Sequence, residues 1–494
     1  MLKRIKQKLS KYYAKENDSP FFLGLISGFY PFIFYYSNNF FAVNSWEHLF
    51  YFLSFFIGIP VLLFLALHFL FKKFEILNKY RKHILFVMLI FCTASLGSFA
   101  ASLLIKKKIL LGVLIVAVLA SIKLYKEYRK VVVLIALMSV LPLITSLINV
   151  IENISYNPWM KLTDDIERAV FVNTPNVYMI QPDGYASVNE MEGETYNFKS
   201  DLYNWLKTKN FKIYNNFRSN YPASLASNAS MFSMQQHYFG NSLFPTLEMP
   251  NAREIICGDN PVISIFKNNN YKTFFITQDD YFQQNKTKQN YDFTNIKLND
   301  INFFSDGNHL KKVVLDDVKS ALKDESEQPK FFFIEKLLPH HVHFSGPIEG
   351  RKERELIEYI DKIKEVNLWL KEAINTIEYK DPNAIIIVLA DHGGWVGLES
   401  YDEMFRTQDE KQIKSIFGSL AAIKWNGFLE NEFDKDLRSN VNIFRVLFSV
   451  LSKDETYLNS LEDNSSYNLL IKNTFYKSVN RVIDDRGKVV NIKE

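Results

Sequence analysis

Cysteine is scarce in this sequence, with two in 494 residues: Cys92 in an apolar run and Cys257 far downstream in more polar sequence. A structural disulfide is not expected, and a zinc site built on Cys-x-x-Cys pairs is excluded. A concentrated excess of charge is also lacking. The net charge is +4, and the basic residues do not gather on one folded segment, so nothing points to nucleic acid as a partner. No small-residue cleavage site follows the first apolar run behind the basic start MLKRIKQKLSKYYAK, which reads as an uncleaved anchor. Internal repeats and long low-complexity stretches are missing as well.

Apolar residues, by contrast, make up 48% of the chain, with 43 Phe and 26 Tyr. From Phe21 to Ile151 they crowd into runs. A helix needs about 20 apolar residues to span a bilayer, and Phe21–Phe41, Leu49–Phe71, Ile84–Ile105 and Val131–Ile151 fit that length. Ile109–Ile122 has 14 residues and spans if Lys106–Lys108 and Lys123 snorkel to the two interfaces. About five transmembrane helices are therefore expected. Lys and Arg number six in the N-terminal arm, none in Ser37–Glu47, five in Lys72–His83 and four in Lys123–Lys130. That alternation puts the N-terminus inside and, after five spans, the rest of the chain outside; only Lys106–Lys108 run against it. The expected division is a transmembrane domain over 1–151, a polar linker over 152–172, and an extracytoplasmic domain over 173–494.

The last of these alternates strands and helices, which implies an α/β domain with a mostly parallel central sheet flanked by helices. Val177–Gln181, Lys272–Thr277, Phe331–Glu335, Ala384–Leu389 and Ser419–Trp425 read as buried strands. Leu356, Ile360, Ile363, Val366, Leu370, Ile374 and Ile377 recur at three and four and mark an amphipathic helix. Ligands in such folds sit beyond the carboxyl ends of strands. Three strands run into Pro182-Asp183-Gly184, into Pro339-His340-His341-Val342-His343, and into Asp391-His392-Gly393-Gly394. Alone, Asp183-Gly184 reads as a turn and the histidines as a solvated loop. Together the three ends supply the oxygen and nitrogen donors that suit zinc or manganese. A nucleophile has candidates in the hydroxyl-rich stretch Ser219–Ser233, which opens helical sequence. Spacing does not choose among Ser219, Ser224, Ser227 and Ser230, and a serine there is most often a cap.

The order strand–Asp, hydroxyl-rich helix start, Pro-His strand end and Asp-His-Gly resembles the alkaline phosphatase/sulfatase superfamily. The apolar spans before it look like those of the lipoteichoic acid synthases and the lipid A phosphoethanolamine transferases. Ser224-Leu225-Ala226-Ser227-Asn228-Ala229-Ser230-Met231-Phe232-Ser233 is similar to the T-x-x-S-x-P-x-M-F-S stretch of those transferases, and the resemblance places the nucleophile at Ser224. Val441-Asn442-Ile443-Phe444-Arg445 matches a V-N-x-F-R stretch to which no chemistry is assigned. The departures are serine for threonine at the nucleophile, Asp183 where those transferases use glutamate, and the absence of their disulfides. Neither cysteine lies in a C-x-P-x-R motif and no Pro-x-Arg follows Ser224, which speaks against sulfate-ester hydrolysis.

What the resemblance implies is a divalent metal, zinc or alternatively manganese, held by Asp183, Ser224, Asp391 and His392. His340 would bind the phosphoryl group or protonate the leaving group, with His341 and His343 as alternates. It implies a multi-pass protein of the bacterial cytoplasmic membrane with a periplasmic or extracellular catalytic domain. The reaction would be phosphoryl-group transfer through a phospho-serine to a lipid-linked or glycan acceptor among membrane lipids. The alternatives are a phosphatase or phosphodiesterase, and a non-catalytic binding protein of the same fold.

Overall fold

The computed structural model describes residues 12–13, 19–154, 158–241, 249–429, 432–473 and 476–490. The chain forms two compact units, Met1–Ser155 and Tyr156–Glu494.

The first unit is helical. Trp46–Lys73, Arg81–Ser102 and Lys107–Ile154 are each long and apolar enough to cross a membrane, and a further helix, Pro20–Asn39, has 20 residues. At 48 residues, Lys107–Ile154 would extend about 72 Å if straight, twice what a bilayer core needs. It does not run straight. A 3-10 turn at Tyr125–Glu127 interrupts it, and both Lys107–Leu124 and Tyr128–Met138 pack on Arg81–Ser102. Tyr125 stacks on His83 at one end of that helix, while Asn153 receives a hydrogen bond from Asn44 at the far end of the unit. The stretch thus doubles back where a polar loop is expected from the sequence. Gly24 and Gly28, one helical turn apart, let Pro20–Asn39 meet its neighbour: a Cβ on Gly28 would lie 1.8 Å from the Phe56 carbonyl oxygen, and one on Gly24 2.5 Å from Val61 Cα.

The second unit is built on a seven-stranded sheet. Its strands are β1 (Val177–Pro182), β2 (Lys212–Ile213), β3 (Lys272–Ile276), β4 (Phe293–Thr294), β5 (Lys330–Lys336), β6 (Ile385–Leu389) and β7 (Ala421–Lys424). Their order is β2-β7-β6-β1-β5-β3-β4. β1 pairs in parallel with both β5 and β6, β3 is parallel to β5 and β4, and β7 is antiparallel to β6 and β2. The β1, β5 and β6 side chains are buried on both faces, which explains why they read as unbroken apolar runs rather than alternations. Tyr178, Ile180, Phe332 and Ile386 face one core; Val177, Met179, Phe331, Phe333 and Ile387 face the other. The first core is covered by the helix Arg351–Lys380, which buries Ile363, Val366, Leu370, Ile374 and Ile377. Trp159, Ile166, Ala169 and Phe171, in the stretch expected as a linker, belong to the second core. A hairpin of β8 (Ser466–Asn473) and β9 (Tyr476–Ile483) stands apart from the main sheet.

Candidate active site

Because β6, β1 and β5 are adjacent and parallel, their carboxyl ends open on one edge of the sheet, and the three motifs meet there. β1 ends in Asp183 and Gly184. Gly184 has φ +65, and a Cβ on it would lie 2.9 Å from the His341 amide nitrogen. Only glycine lets the histidine loop come this close. That loop is tied down by His340 N–H, which donates to the Asp183 carbonyl at 2.9 Å. His340 itself has φ 63, a left-handed backbone that a non-glycine residue holds only when its surroundings impose it.

Asp183, Asp391 and His392 are buried and offer ligand atoms that all lie within 4.8 Å of one another. Asp391 Oδ1 accepts from the Gly184 and His392 amides, each at 3.0 Å. Its Oδ2 is buried with no partner. Burial pushes the Asp391 carboxyl up to about 6; His392 opposes the rise and Asp183 adds to it. Burial likewise raises Asp183. Two crowded buried carboxylates of this kind favour either protonation or a cation.

Geometry sets Ser224 apart from the other serines of its stretch. Ser224 is the first residue of the helix Ser224–Ser233, with Ala223 as its extended cap residue, so the Ser224 hydroxyl does no capping. It donates to Asp183 Oδ1 at 3.2 Å and lies 3.3 Å from His392 Nε2. The other candidates bond main chain instead: Ser219 to the Phe417 carbonyl, Ser227 to that of Asp391, Ser230 to that of Ser227.

The histidine tautomers follow from what their Nδ1 atoms touch, since a carbonyl can only accept. Nδ1 of His392 faces the Gly393 carbonyl at 2.8 Å, that of His340 the His341 carbonyl at 3.2 Å, and that of His341 the Val342 carbonyl at 2.7 Å. Each Nδ1 therefore carries a proton, and on the His340 and His341 rings, which burial keeps neutral, Nε2 is a bare acceptor. His392 Nε2 lies 3.6 Å from Asp183 Oδ1 and 3.5 Å from Asp391 Oδ2. His340 Nε2 lies 3.6 Å from Asp183 Oδ2. Two imidazole nitrogens and two carboxylates converging at these distances suit a cation. Burial holds His340 down to about 4 and His341 well below the usual range. His343 is exposed at the mouth, its ring 4.8 Å from that of His340.

All these groups except Asp391 line a cavity of about 460 Å³. The cavity also holds residues that the sequence analysis did not single out: Asp279, Lys311, Glu335, Lys362 and Trp395. Asp279 pairs with Lys311 at 3.1 Å. Glu335, the one acidic residue of β5 and fully buried, was the visible signal; burial first, then Asp279, Asp183 and Asp391, raise it well above the ordinary carboxylate range. Cys257 lies elsewhere, buried, with its thiol on the Phe282 carbonyl.

The sulfatase family model matches residues 181–415, a span that contains every residue of the cluster. Residues 181–415 are a sulfatase-family domain. This agrees with the superfamily that the motif order resembles. No curated protein matches the sequence. Among solved structures, the chain is similar to the C-terminal periplasmic domain of EcEptC from Escherichia coli in complex with Zn. There the identity is 13%, covering 64% of this chain and 94% of that one, with a TM-score of 0.43. The chain is also similar to the integral membrane protein lipooligosaccharide phosphoethanolamine transferase A (EptA) from Neisseria meningitidis. That match has 13% identity, covers 88% of this chain and 95% of that one, and has a TM-score of 0.42.

Proposed function

We propose that this chain is a membrane-anchored, metal-dependent phosphoryl-group transferase that works through a covalent phospho-serine on Ser224. The observation that carries the reading is the placement of Ser224 Oγ within hydrogen-bonding distance of both Asp183 and His392, beside the unpartnered Asp391 Oδ2.

The donor set of two carboxylates, one imidazole Nε2 and one hydroxyl fits zinc, with manganese as the alternative. Asp183, Asp391, His392 and Ser224 would hold it. Bound there, it supplies positive charge that favours the serine alkoxide and the developing phosphoryl charge. The rest of the chemistry belongs to the chain. Ser224 gives its proton to solvent, and a bond forms between Oγ and phosphorus as the bond to the leaving oxygen breaks. His340 Nε2 relays a solvent proton to that oxygen, with His341 and His343 as alternates. The free N–H groups at the start of the serine helix face the phosphoryl oxygens. In the second half, an acceptor hydroxyl gives its proton to the same imidazole. Its oxygen bonds phosphorus, the phosphorus–Oγ bond breaks, and Ser224 is reprotonated. Charge stabilisation at phosphorus is the largest contribution to rate.

Five crossings with the catalytic unit outside the cytoplasmic membrane fit the Lys and Arg distribution, and membrane lipids or lipid-linked glycans are the substrates such a tether favours. Phosphate rather than sulfate is favoured because Ser224 lacks a following Pro-x-Arg.

The test is turnover of a p-nitrophenyl phosphodiester together with metal analysis. Ser224→Ala is expected to lose turnover at least a thousandfold, roughly, with metal content near normal. Asp391→Ala is expected to lose both. Turnover retained by Ser224→Ala moves the nucleophile elsewhere. Lipid and glycan mass spectrometry with and without the protein then separates a transferred group from a released product, the latter marking a hydrolase.

A further inference from the structure

We infer that Trp395 is a positioning residue that holds the serine, histidine and Asp391-His392 loops together and acts on the reaction through His341. This rests on the reading above. The indole lines the cavity yet is only 1% exposed, so its bulk is packed against the site. What it touches is the site. Its face carries the imidazole of His341, ring centroids 3.8 Å apart and 14° from parallel. Its Nε1–H donates to the Pro222 carbonyl at 3.2 Å, in the turn two residues before Ser224. Its ring also lies 5.4 Å from that of His392, 29° from parallel.

The backbone is committed to this placement. Trp395 has φ 62, a left-handed conformation three residues beyond His392, and its amide donates to the Ser415 carbonyl at 3.3 Å. Next to it, the Val342 amide donates to the Gly394 carbonyl at 3.0 Å, a second tie between the same two loops. His341 is thereby fixed twice, by the Nδ1–H bond to the Val342 carbonyl at 2.7 Å and by the indole face. Its bare Nε2 is left on a ring that lines the cavity. A rotamer change of His341 is blocked on the side the indole fills. An ordinary core tryptophan needs no bond to the nucleophile turn and no stacked imidazole; this one has both.

The substitutions separate the contacts. Trp395→Leu loses face and N–H, and Trp395→Phe keeps a face and loses the N–H. In the full chain, assayed on the p-nitrophenyl phosphodiester, Trp395→Leu is expected to lower kcat roughly tenfold with KM little changed and metal content unchanged. Trp395→Phe falls between it and wild type, because its smaller ring holds the His341 imidazole less fully. The decisive measurement is the double variant: Trp395→Leu with His341→Ala is expected to turn over no more slowly than His341→Ala alone. If Trp395→Leu does not fold, the same cycle is run with Trp395→Phe. Multiplying effects, a silent His341→Ala, or a fall in metal content equal to the loss of rate overturns the inference while the proposed function stands. An inactive wild type overturns both.

Discussion

Gly184 shows how far a single residue governs this site. It sits between the first carboxylate and the histidine loop, with a positive φ and a backbone nitrogen 2.9 Å from where its Cβ would be. Its amide also holds Asp391 Oδ1. Gly184→Ala is expected to cost about 2 kcal/mol in stability and to push the His340–His341 backbone away from Asp183. Denaturant unfolding and metal content check this, and an alanine variant with unchanged values of both would contradict it. The clustering of Asp183, Asp391 and His392 was legible because each follows a strand. Ser224 was singled out by the resemblance and not by spacing, because a hydroxyl's use depends on what lies across the fold from it. Ser227 and Ser230, equally plausible in sequence, bond main-chain carbonyls. Trp395 and Lys311 were invisible for the same reason: their partners lie in other loops.

At the scale of elements, the long helix Arg351–Lys380 is fastened to the sheet at its end by Glu378. That carboxylate meets Lys209 at 2.7 Å and Lys424, at the end of β7, at 2.5 Å. Burial alone would raise the carboxyl, but the two ammonium groups outweigh it and hold it below its ordinary value of 4.5. Its contribution is in place above that value and is lost as pH falls through the lower folded value. Glu378→Gln is expected to cost about 1–2 kcal/mol at neutral pH and progressively less as pH drops below about 4.5. Urea unfolding across pH measures this; a cost independent of pH would refute the pairing. The five expected strands were read to within a residue or two, since runs such as FFFI and IIIV admit only burial on both faces, whereas the two-residue β2 and β4 and the β8–β9 hairpin were not foreseen. The reversal at Tyr125–Glu127 was read as a polar loop. It is a tight helical turn, because Lys and Arg end a span without dictating how the backbone bends.

For the whole molecule, the count of crossings decides sidedness. On the proposed topology the doubling back of Lys107–Ile154 would make two crossings of that stretch, although Ile109–Ile122 is short by itself. An alkaline phosphatase reporter fused after Ile154 is expected to be active, and a cytoplasm-dependent fluorescent reporter at the same point dark. The reverse pattern would rule out an odd number of crossings.

One arrangement also bears on how the finished protein acquires its ion. Gly184 and Asp391, whose bond closes the cluster, are 207 residues apart in the chain. No nascent segment that lacks β6 contains a binding site, and parallel strands with long crossovers pair late in folding. On the proposed function, metallation would therefore follow folding rather than guide it. The ion would be taken from whichever compartment the domain folds in, and the relative abundance of zinc and manganese there, as much as the ligands, would set which one is carried.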